Sequence, residues 1–265
     1  MRKYFFFGKT VFQEYLTYRL SFVLWRFRNL ISFLALIFLW LALYAGRTEL
    51  LGYRKEQILT YVIGVAFLRG VVLASRTADL AGRINSGELV KDLLKPIGIM
   101  KIYFTRDLVD KLLNLTFSFF EIALVLRFFK FSLYLPKSQL TFVAFLVASF
   151  ISIILYFLIS FWLSLLSFWV DQPWAPRWLF GIIFLEFFSG GIFPLDVLPA
   201  VYVKIASLTP FPYLIFFPLK IWLGQIDPRQ QLKLIMISLF WVISFWVILK
   251  KTWIKGIKTY TAYGG

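Results

Sequence analysis

Long apolar runs separated by short polar segments are the main pattern along this chain. The six longest runs cover residues 29–45, 57–75, 112–128, 139–170, 178–189 and 232–249. A helix needs about 20 predominantly apolar residues to cross a bilayer, and the fourth run is long enough to tilt or to extend past it. The pattern therefore predicts an all-α, polytopic integral membrane protein, with six transmembrane helices in one domain over residues 1–265.

Residues 1–28 precede the first run and have an amphipathic pattern. Charges interrupt their apolar residues and no small-residue cleavage site follows, so they do not read as a signal peptide. Aromatic and aliphatic residues recur every three or four positions and form one stripe: Phe7, Val11, Tyr15, Tyr18, Phe22 and Trp25. This spacing predicts an amphipathic interface helix along the membrane surface. The alternative is a charged extension of the first span.

The polar segment at residues 76–111 contains a short helical pattern. Asn85 and Glu88 have the spacing of an N-cap and its N3 partner, while Lys95 and Pro96 mark the end. Apolar residues fall on one face of this predicted helix: Val90, Leu93, Leu94 and Ile97. Such a face suits either docking to a partner or packing on the membrane surface, and its periodicity leaves both open.

Residues 186–229 are too apolar for a free loop and too interrupted for a spanning helix. The interruptions are Gly190, Gly191, Pro194, Pro199 and Pro210. Irregular backbone at membrane depth is tolerated only where protein or a water-filled cavity satisfies its polar groups. The segment therefore predicts short re-entrant helices on the outer side, between spans five and six.

Composition and charge support the membrane assignment and give an orientation. The chain is 60% hydrophobic and only 16% charged, with a net charge of +16. With both termini placed in the cytoplasm, most of its 29 Lys and Arg residues lie on the cytoplasmic side, as the positive-inside rule requires. These residues flank apolar runs, so the expected charged partner is anionic membrane lipid and not nucleic acid.

The chain offers little chemistry of its own. It has no Cys and no His, and no glycine-rich nucleotide-binding loop, so we expect no catalytic site, no metal site and no bound ATP. Three ionisable residues lie within predicted spans: Arg69, Glu121 and Glu186. Such residues are costly in lipid and mark either a substrate path or a pair that satisfies itself inside the bundle.

In this order of elements, the sequence resembles the permease subunit of a type-2 ABC exporter. Residues 189–194 read Ser-Gly-Gly-Ile-Phe-Pro, followed by Leu198-Pro199 and then Pro210, like the passage after span five in that class. Residues 86–89 (Ser-Gly-Glu-Leu), residues 94–96 (Leu-Lys-Pro) and the ending Tyr-Thr-Ala-Tyr-Gly-Gly at 260–265 resemble one branch of it, of largely uncharacterised substrate.

The resemblance covers essentially the whole chain and implies a transporter without its own enzyme activity. It implies a second permease, either a copy or a different chain, and separate ATPase subunits that bind ATP and Mg on the cytoplasmic side of a bacterial membrane. The segment at residues 76–111 would then be the coupling loop, with these contact residues: Arg83, Asn85, Gly87, Glu88, Lys91, Leu93, Leu94 and Lys95. The alternatives are a secondary transporter, which usually shows an internal repeat, and a structural membrane scaffold.

Overall fold

The computed structural model describes residues 2–17, 19–136, 138–170 and 180–260 of the chain, and it is mostly helical in them. The β-structure that it contains there is a two-stranded hairpin, β1 (Glu49–Leu50) and β2 (Tyr53–Arg54). The α-helices are α1 (Arg2–Thr17), α2 (Arg19–Leu43), α3 (Lys55–Leu68), α4 (Ala78–Asn85), α5 (Leu89–Leu93), α6 (Ile99–Phe129), α7 (Gln139–Leu165), α8 (Ala200–Ser207), α9 (Phe216–Trp222) and α10 (Pro228–Thr259).

Irregular helical turns extend or separate several of these helices. A π-helical turn, Arg69–Leu73, continues α3, and a 3-10 turn, Leu166–Phe168, continues α7. A longer π-helical segment covers Phe180–Phe187, and 3-10 turns at Leu195–Val197 and Phe211–Tyr213 lie between it and α9. π-Helical turns are uncommon and occur frequently at functional sites.

Within the described residues, five helices are long and apolar enough to cross a membrane. They are Arg19–Leu43, Lys55–Asn85, Ile99–Phe129, Gln139–Phe168 and Pro228–Thr259. Each overlaps a predicted span. The last contains 32 residues, which corresponds to about 48 Å of helix and exceeds the roughly 30 Å hydrocarbon core of a bilayer.

Two helices begin before the predicted spans because they continue through polar residues. The helix of the first span begins at Arg19, ten residues before the apolar run, and the helix of the third span begins at Ile99, inside the predicted coupling loop. Arg26 of α2 donates hydrogen bonds to Glu121 and Asn114 of α6, so these polar side chains satisfy each other between the two helices. The amphipathic helix itself, α1, ends at Thr17.

The fifth predicted span lies only partly within the described residues. Residues 178 and 179 fall outside them, and residues 180–187 form the π-helical segment. That segment ends three residues before the predicted break at Gly190, where the backbone takes φ +79°. The Gly190 carbonyl accepts a hydrogen bond of 2.6 Å from the Tyr61 hydroxyl on α3.

The core lies around α3 and α7. We call residues 186–229, which the sequence predicts on the outer side, the outer segment, and part of it packs into this core. Leu214, Ile215 and Phe216 are at most 3% exposed, and the Ser152 hydroxyl of α7 donates to the Tyr213 carbonyl over 2.6 Å. The chain changes direction at or next to each predicted break, including Pro194, Pro199 and Pro210. The outer segment therefore packs as part of the bundle.

A polar cluster connects the hairpin to the outer segment. The Tyr53 hydroxyl donates to Asp196 over 2.7 Å, and the Lys220 ammonium group on α9 lies 2.5 Å from the same carboxylate. Burial, followed by the negative charge of Asp196, raises the pKa of Tyr53, so this hydroxyl remains a donor at physiological pH. The cluster fixes α9 against the start of α3.

Candidate functional site

A cavity of about 760 Å³ lies between α2, α3, α6 and the π-helical segment. One face of α3 supplies an apolar wall that includes Val62 and Val65, which are 1% and 2% exposed. The three ionisable residues predicted within spans, Arg69, Glu121 and Glu186, all line this cavity. The volume lies within the range of about 300–1,000 Å³ that small-molecule sites occupy.

Arg69 and Glu186 form a direct ion pair in the lining of the cavity. Each comes from a π-helical segment, Arg69 from the turn after α3 and Glu186 from Phe180–Phe187. The Arg69 side chain also donates to the Gly191 carbonyl over 3.1 Å. A Cβ atom at Gly191 would lie 2.8 Å from the Arg69 Nη2 atom, so a larger residue there would displace the guanidinium.

Glu121 pairs with Arg26, a residue that the sequence interpretation placed outside the spans. The Arg26 guanidinium lies 2.9 Å from the Glu121 carboxylate through Nε, and it also donates to Asn114 over 3.1 Å. Arg26 is 7% exposed and the Glu121 side chain is 22% exposed, so this partly buried pair joins α2 to α6. The polar residues of α6 repeat every three or four positions, at Asp107, Asp110, Asn114, Ser118 and Glu121, and this periodicity is the sequence signal that predicts a buried polar face.

A buried lysine fastens the end of the second span. The Lys111 ammonium group of α6 donates to the Val72 carbonyl over 3.1 Å and to the Ala74 carbonyl, and it lies 3.3 Å from the Asp107 carboxylate. Carbonyl groups at a helix end lack partners within the helix. Lys111 supplies one and thereby holds the π-helical turn that carries Arg69.

The predicted coupling residues fold as two short helices joined by a turn, so the predicted capping box is wrong. Asn85 is the last residue of α4, and Glu88 precedes α5 without a side-chain cap. The reason is Gly87, which takes φ +72° and ends α4 in the manner of a helix-terminating glycine. The Glu88 carboxylate instead pairs with Lys91 over 2.5 Å.

A buried carboxylate that the sequence interpretation missed holds the two short helices together. Asp92 is 2% exposed and lies 2.9 Å from Arg83 of α4 and 2.7 Å from Lys95. The Tyr103 hydroxyl of α6 lies 3.4 Å from it. Leu89 is fully buried beside Asp92 in the cluster formed with α6 and α7.

Other predicted coupling residues lie on the surface of this unit. Leu93 is 43% exposed and Leu94 is 80% exposed. The Lys91 hydrogen bond and then its positive charge lower the pKa of Glu88, which is exposed and remains ionised at physiological pH. We call the exposed Leu93 and Leu94 the tip of residues 83–95. The buried Asp92, with Arg83 and Lys95 beside it, is the ionic base that supports this tip.

The N-terminal helix is fastened to the same unit. Glu14 of α1 lies 2.8 Å from Arg106 of α6, and Arg106 lies 3.5 Å from Asp79 of α4. The Tyr15 hydroxyl donates to Asp110; burial and the Asp110 charge raise the pKa of Tyr15, which stays protonated. The apolar stripe predicted for one helix over residues 1–28 is divided between two helices. On α1, Val11 is 1% exposed and Phe7 and Tyr15 are half-buried. Phe22 and Trp25 lie on α2, and Tyr18 lies outside the described residues.

Metal binding has no candidate in the part of the chain that the structure describes, because no three Asp or Glu side chains group there as potential ligands. The chemistry available at the two features is therefore ionic and apolar recognition. The cavity combines paired charges with an apolar wall, and the tip combines exposed leucines with surface charges.

A comparison with protein-family models matches residues 30–264 to the family described as ABC-2 family transporter protein. No curated protein and no solved structure shows a significant match. The family match agrees with the five apolar helices, and the predicted resemblance to an ABC-2 type permease is confirmed. The protein is a multi-pass membrane component of an ABC transporter. The chain belongs to the ABC-2 family of transporter proteins.

Proposed function

We propose that the chain is the permease subunit of an ATP-driven exporter, and that residues 83–95 dock on a separate ATPase subunit in the cytoplasm. The observation that carries the proposal is the contrast between Asp92, 2% exposed, and the next two residues, Leu93 and Leu94, 43% and 80% exposed. Apolar side chains on a rigid support make effective interface anchors because little conformational freedom is lost on binding.

The support connects the tip to two long helices. The Thr77 hydroxyl at the start of α4 lies 2.5 Å from the Ser160 hydroxyl of α7, and the Ser164 hydroxyl donates to the Thr77 carbonyl over 2.7 Å. Force applied at the tip would reach α6 and α7 as a rigid-body displacement. ATP and Mg would be bound by the ATPase, while this chain supplies the lever and the path.

The proposed path runs through the cavity that contains Arg69, Glu121 and Glu186, at or near an interface with a second permease of the same or a different kind. The distribution of Lys and Arg supports cytoplasmic termini in the bacterial cytoplasmic membrane. Six spans require residues 178–189 to form the fifth. The apolar packing of residues 214–216 supports an outer segment that enters the membrane and returns.

Copurification of an ATPase tests this function. Leu94→Asp places a charge at the tip, and the matched control Leu208→Asp places one after α8, where Leu208 is 72% exposed. We expect Leu94→Asp to reduce the recovery of a P-loop ATPase at least tenfold, with expression unchanged, while the control keeps wild-type recovery.

Two results would contradict the proposal. Wild-type ATPase recovery with Leu94→Asp would mean that residues 83–95 are not the docking site. Absence of any P-loop protein from wild-type complexes extracted in mild detergent would favour a secondary transporter or a scaffold.

A further inference from the structure

The charges that line the cavity do not balance. Its ionisable residues are three arginines and two glutamates. Arg26 is paired with Glu121 and Arg69 with Glu186. Among the described residues, Arg28 has no carboxylate within ion-pair distance, and it is exposed. The lining therefore carries one positive charge more than it neutralises.

Arg69 is paired but still partly accessible from the cavity. Its Nη2 atom contacts Glu186 and the Gly191 carbonyl, and its Nε atom is buried, so a ligand would contact the exposed part of the guanidinium. Arginine presents five N–H donors in a planar fork that matches phosphate and carboxylate groups. The Arg69 side chain is 38% exposed, so a ligand in the cavity can reach it.

Arg26 differs from Arg69 in this respect. Its side chain is 8% exposed, and its donors are engaged by Glu121, Asn114 and Ser118. It therefore joins α2 to α6 and is not available to a ligand. The cations left to recognise an anion are Arg28 on α2 and Arg69 on the π-helical turn.

The remainder of the lining is mostly apolar. Aliphatic residues of α3, of the π-helical turn after it, of α6 and of the π-helical segment form the wall: Val62, Val65, Leu73, Ile122 and Leu185. Trp25 and Tyr156 add aromatic surface. A polar, uncharged ligand such as a sugar would need many hydrogen-bond partners. The lining offers one amide, Asn29, and two Ser hydroxyls, Ser32 and Ser118, and Ser118 already contacts Arg26. The lining is therefore poorly suited to a sugar.

We infer that the cavity binds an amphiphile with one anionic group, a phosphate or a carboxylate, which Arg28 and Arg69 recognise while its apolar part lies against α3. The positive charge excludes cationic amphiphiles, and the apolar wall favours amphiphiles over free phosphate. This inference rests on the proposed function for the direction in which such a ligand moves. Its binding requires no ATPase.

Native mass spectrometry of the purified chain in a non-ionic detergent measures this preference directly. The probes are dodecyl phosphate, inorganic phosphate and dodecyltrimethylammonium, with phosphatidylglycerol as a bilayer-lipid source of the same chemistry. We expect dodecyl phosphate to bind at least tenfold more tightly than inorganic phosphate or the cationic amphiphile. Stronger binding of phosphatidylglycerol than of dodecyl phosphate would identify a membrane lipid as the source.

Arginine variants locate the site. Arg28→Gln and the charge-balanced Arg69→Gln/Glu186→Gln should each weaken dodecyl phosphate binding at least fivefold. Arg47→Gln is the control, because Arg47 is exposed but lies in the turn before β1, away from the cavity. Equal binding of all probes, or wild-type binding by both variants, would overturn the inference.

Protection of an introduced cysteine gives a second measurement that needs no arginine variant. Ser32 lines the cavity and is exposed, and the chain has no Cys. Dodecyl phosphate should slow maleimide labelling of Ser32→Cys at least threefold, and inorganic phosphate should not; equal labelling rates would count against the site. If no P-loop ATPase copurifies with the chain in mild detergent while dodecyl phosphate still binds, the proposed function fails and this inference stands.

Discussion

Replacing Asp92 with Asn tests whether the ionic base keeps residues 83–95 rigid. The substitution preserves shape but removes the charge that faces Arg83 and Lys95 at 2.9 and 2.7 Å. Breaking a fully buried ion pair costs about 3–5 kcal/mol. Here the two cations are 28% and 40% exposed, so water screens them, and Asn keeps one acceptor. We therefore expect a local loss of about 1–2 kcal/mol.

That loss predicts a measurable increase in local opening. A change of about 1–2 kcal/mol raises the open population about five- to thirtyfold. Hydrogen exchange followed by mass spectrometry, on the protein in lipid nanodiscs, should show this acceleration in peptides covering residues 86–95 and unchanged exchange in α7. Glu88→Gln is the matched control, because Glu88, just before α5, and Lys91 form an exposed pair with the same spacing as Asp92 and Lys95.

The control should leave exchange unchanged. Acceleration of residues 86–95 by less than a factor of two in Asp92→Asn would refute the reasoning, because it would mean that the buried carboxylate does not hold α4 to α5. Equal acceleration by Glu88→Gln would refute it as well, since the exposed pair would then matter as much as the buried one.

Two further predictions concern the outer segment and the orientation. Gly190→Ala should destabilise the protein by about 2–4 kcal/mol and lower its apparent melting temperature in detergent. The reasons are that φ is +79° at this position and that a Cβ atom would lie 2.6 Å from the Tyr61 hydroxyl oxygen. The control Gly82→Ala lies in an open part of α4 and should leave the melting temperature unchanged. With a membrane-impermeant maleimide, Asp227→Cys should label from outside in intact cells. Ser86→Cys should label only after the membrane is permeabilised, and labelling of Ser86→Cys from outside would reverse the predicted orientation.

The spans were predictable because lipid crossing depends on local composition. Runs of apolar residues of sufficient length mark α3, α7 and α10 whatever they pack against. The starts of α2 and α6 were not predictable, because both are charged in sequence and acquire partners only from other helices. Arg26 of α2 pairs with Glu121 of α6, and Arg106 near the start of α6 pairs with Glu14 of α1. The sequence shows the polar periodicity of α6, but it does not show that α2 packs against that polar face.

The coupling segment shows the limits of local motifs. The spacing of Asn85 and Glu88 predicted one capped helix, while Ser86-Gly87 ends a helix at the same place. A glycine with positive φ decides between these because no other residue adopts that conformation as cheaply. Asp92 could not be recognised as buried, because its environment comes from Arg83, α6 and α7.

The cavity depended on tertiary structure in a similar way. Arg69, Glu121 and Glu186 were selected because ionisable residues are costly inside a membrane. The pairing of Arg69 with Glu186 depends on two π-helical segments that sequence patterns do not predict. The position of all three residues in one cavity depends on the packing of their helices.

Site-specific crosslinking from the tip tests the central claim most directly. Because the chain has no Cys, a photoactivatable maleimide reagent can be attached to Leu94→Cys alone, with Leu208→Cys as the control on the outer segment. In intact membranes, irradiation should crosslink Leu94→Cys to a protein that mass spectrometry identifies as a P-loop ATPase, and Leu208→Cys should give no such product. Crosslinking of the ATPase from Leu208→Cys, or no ATPase crosslink from Leu94→Cys while the complex is intact, would contradict the claim.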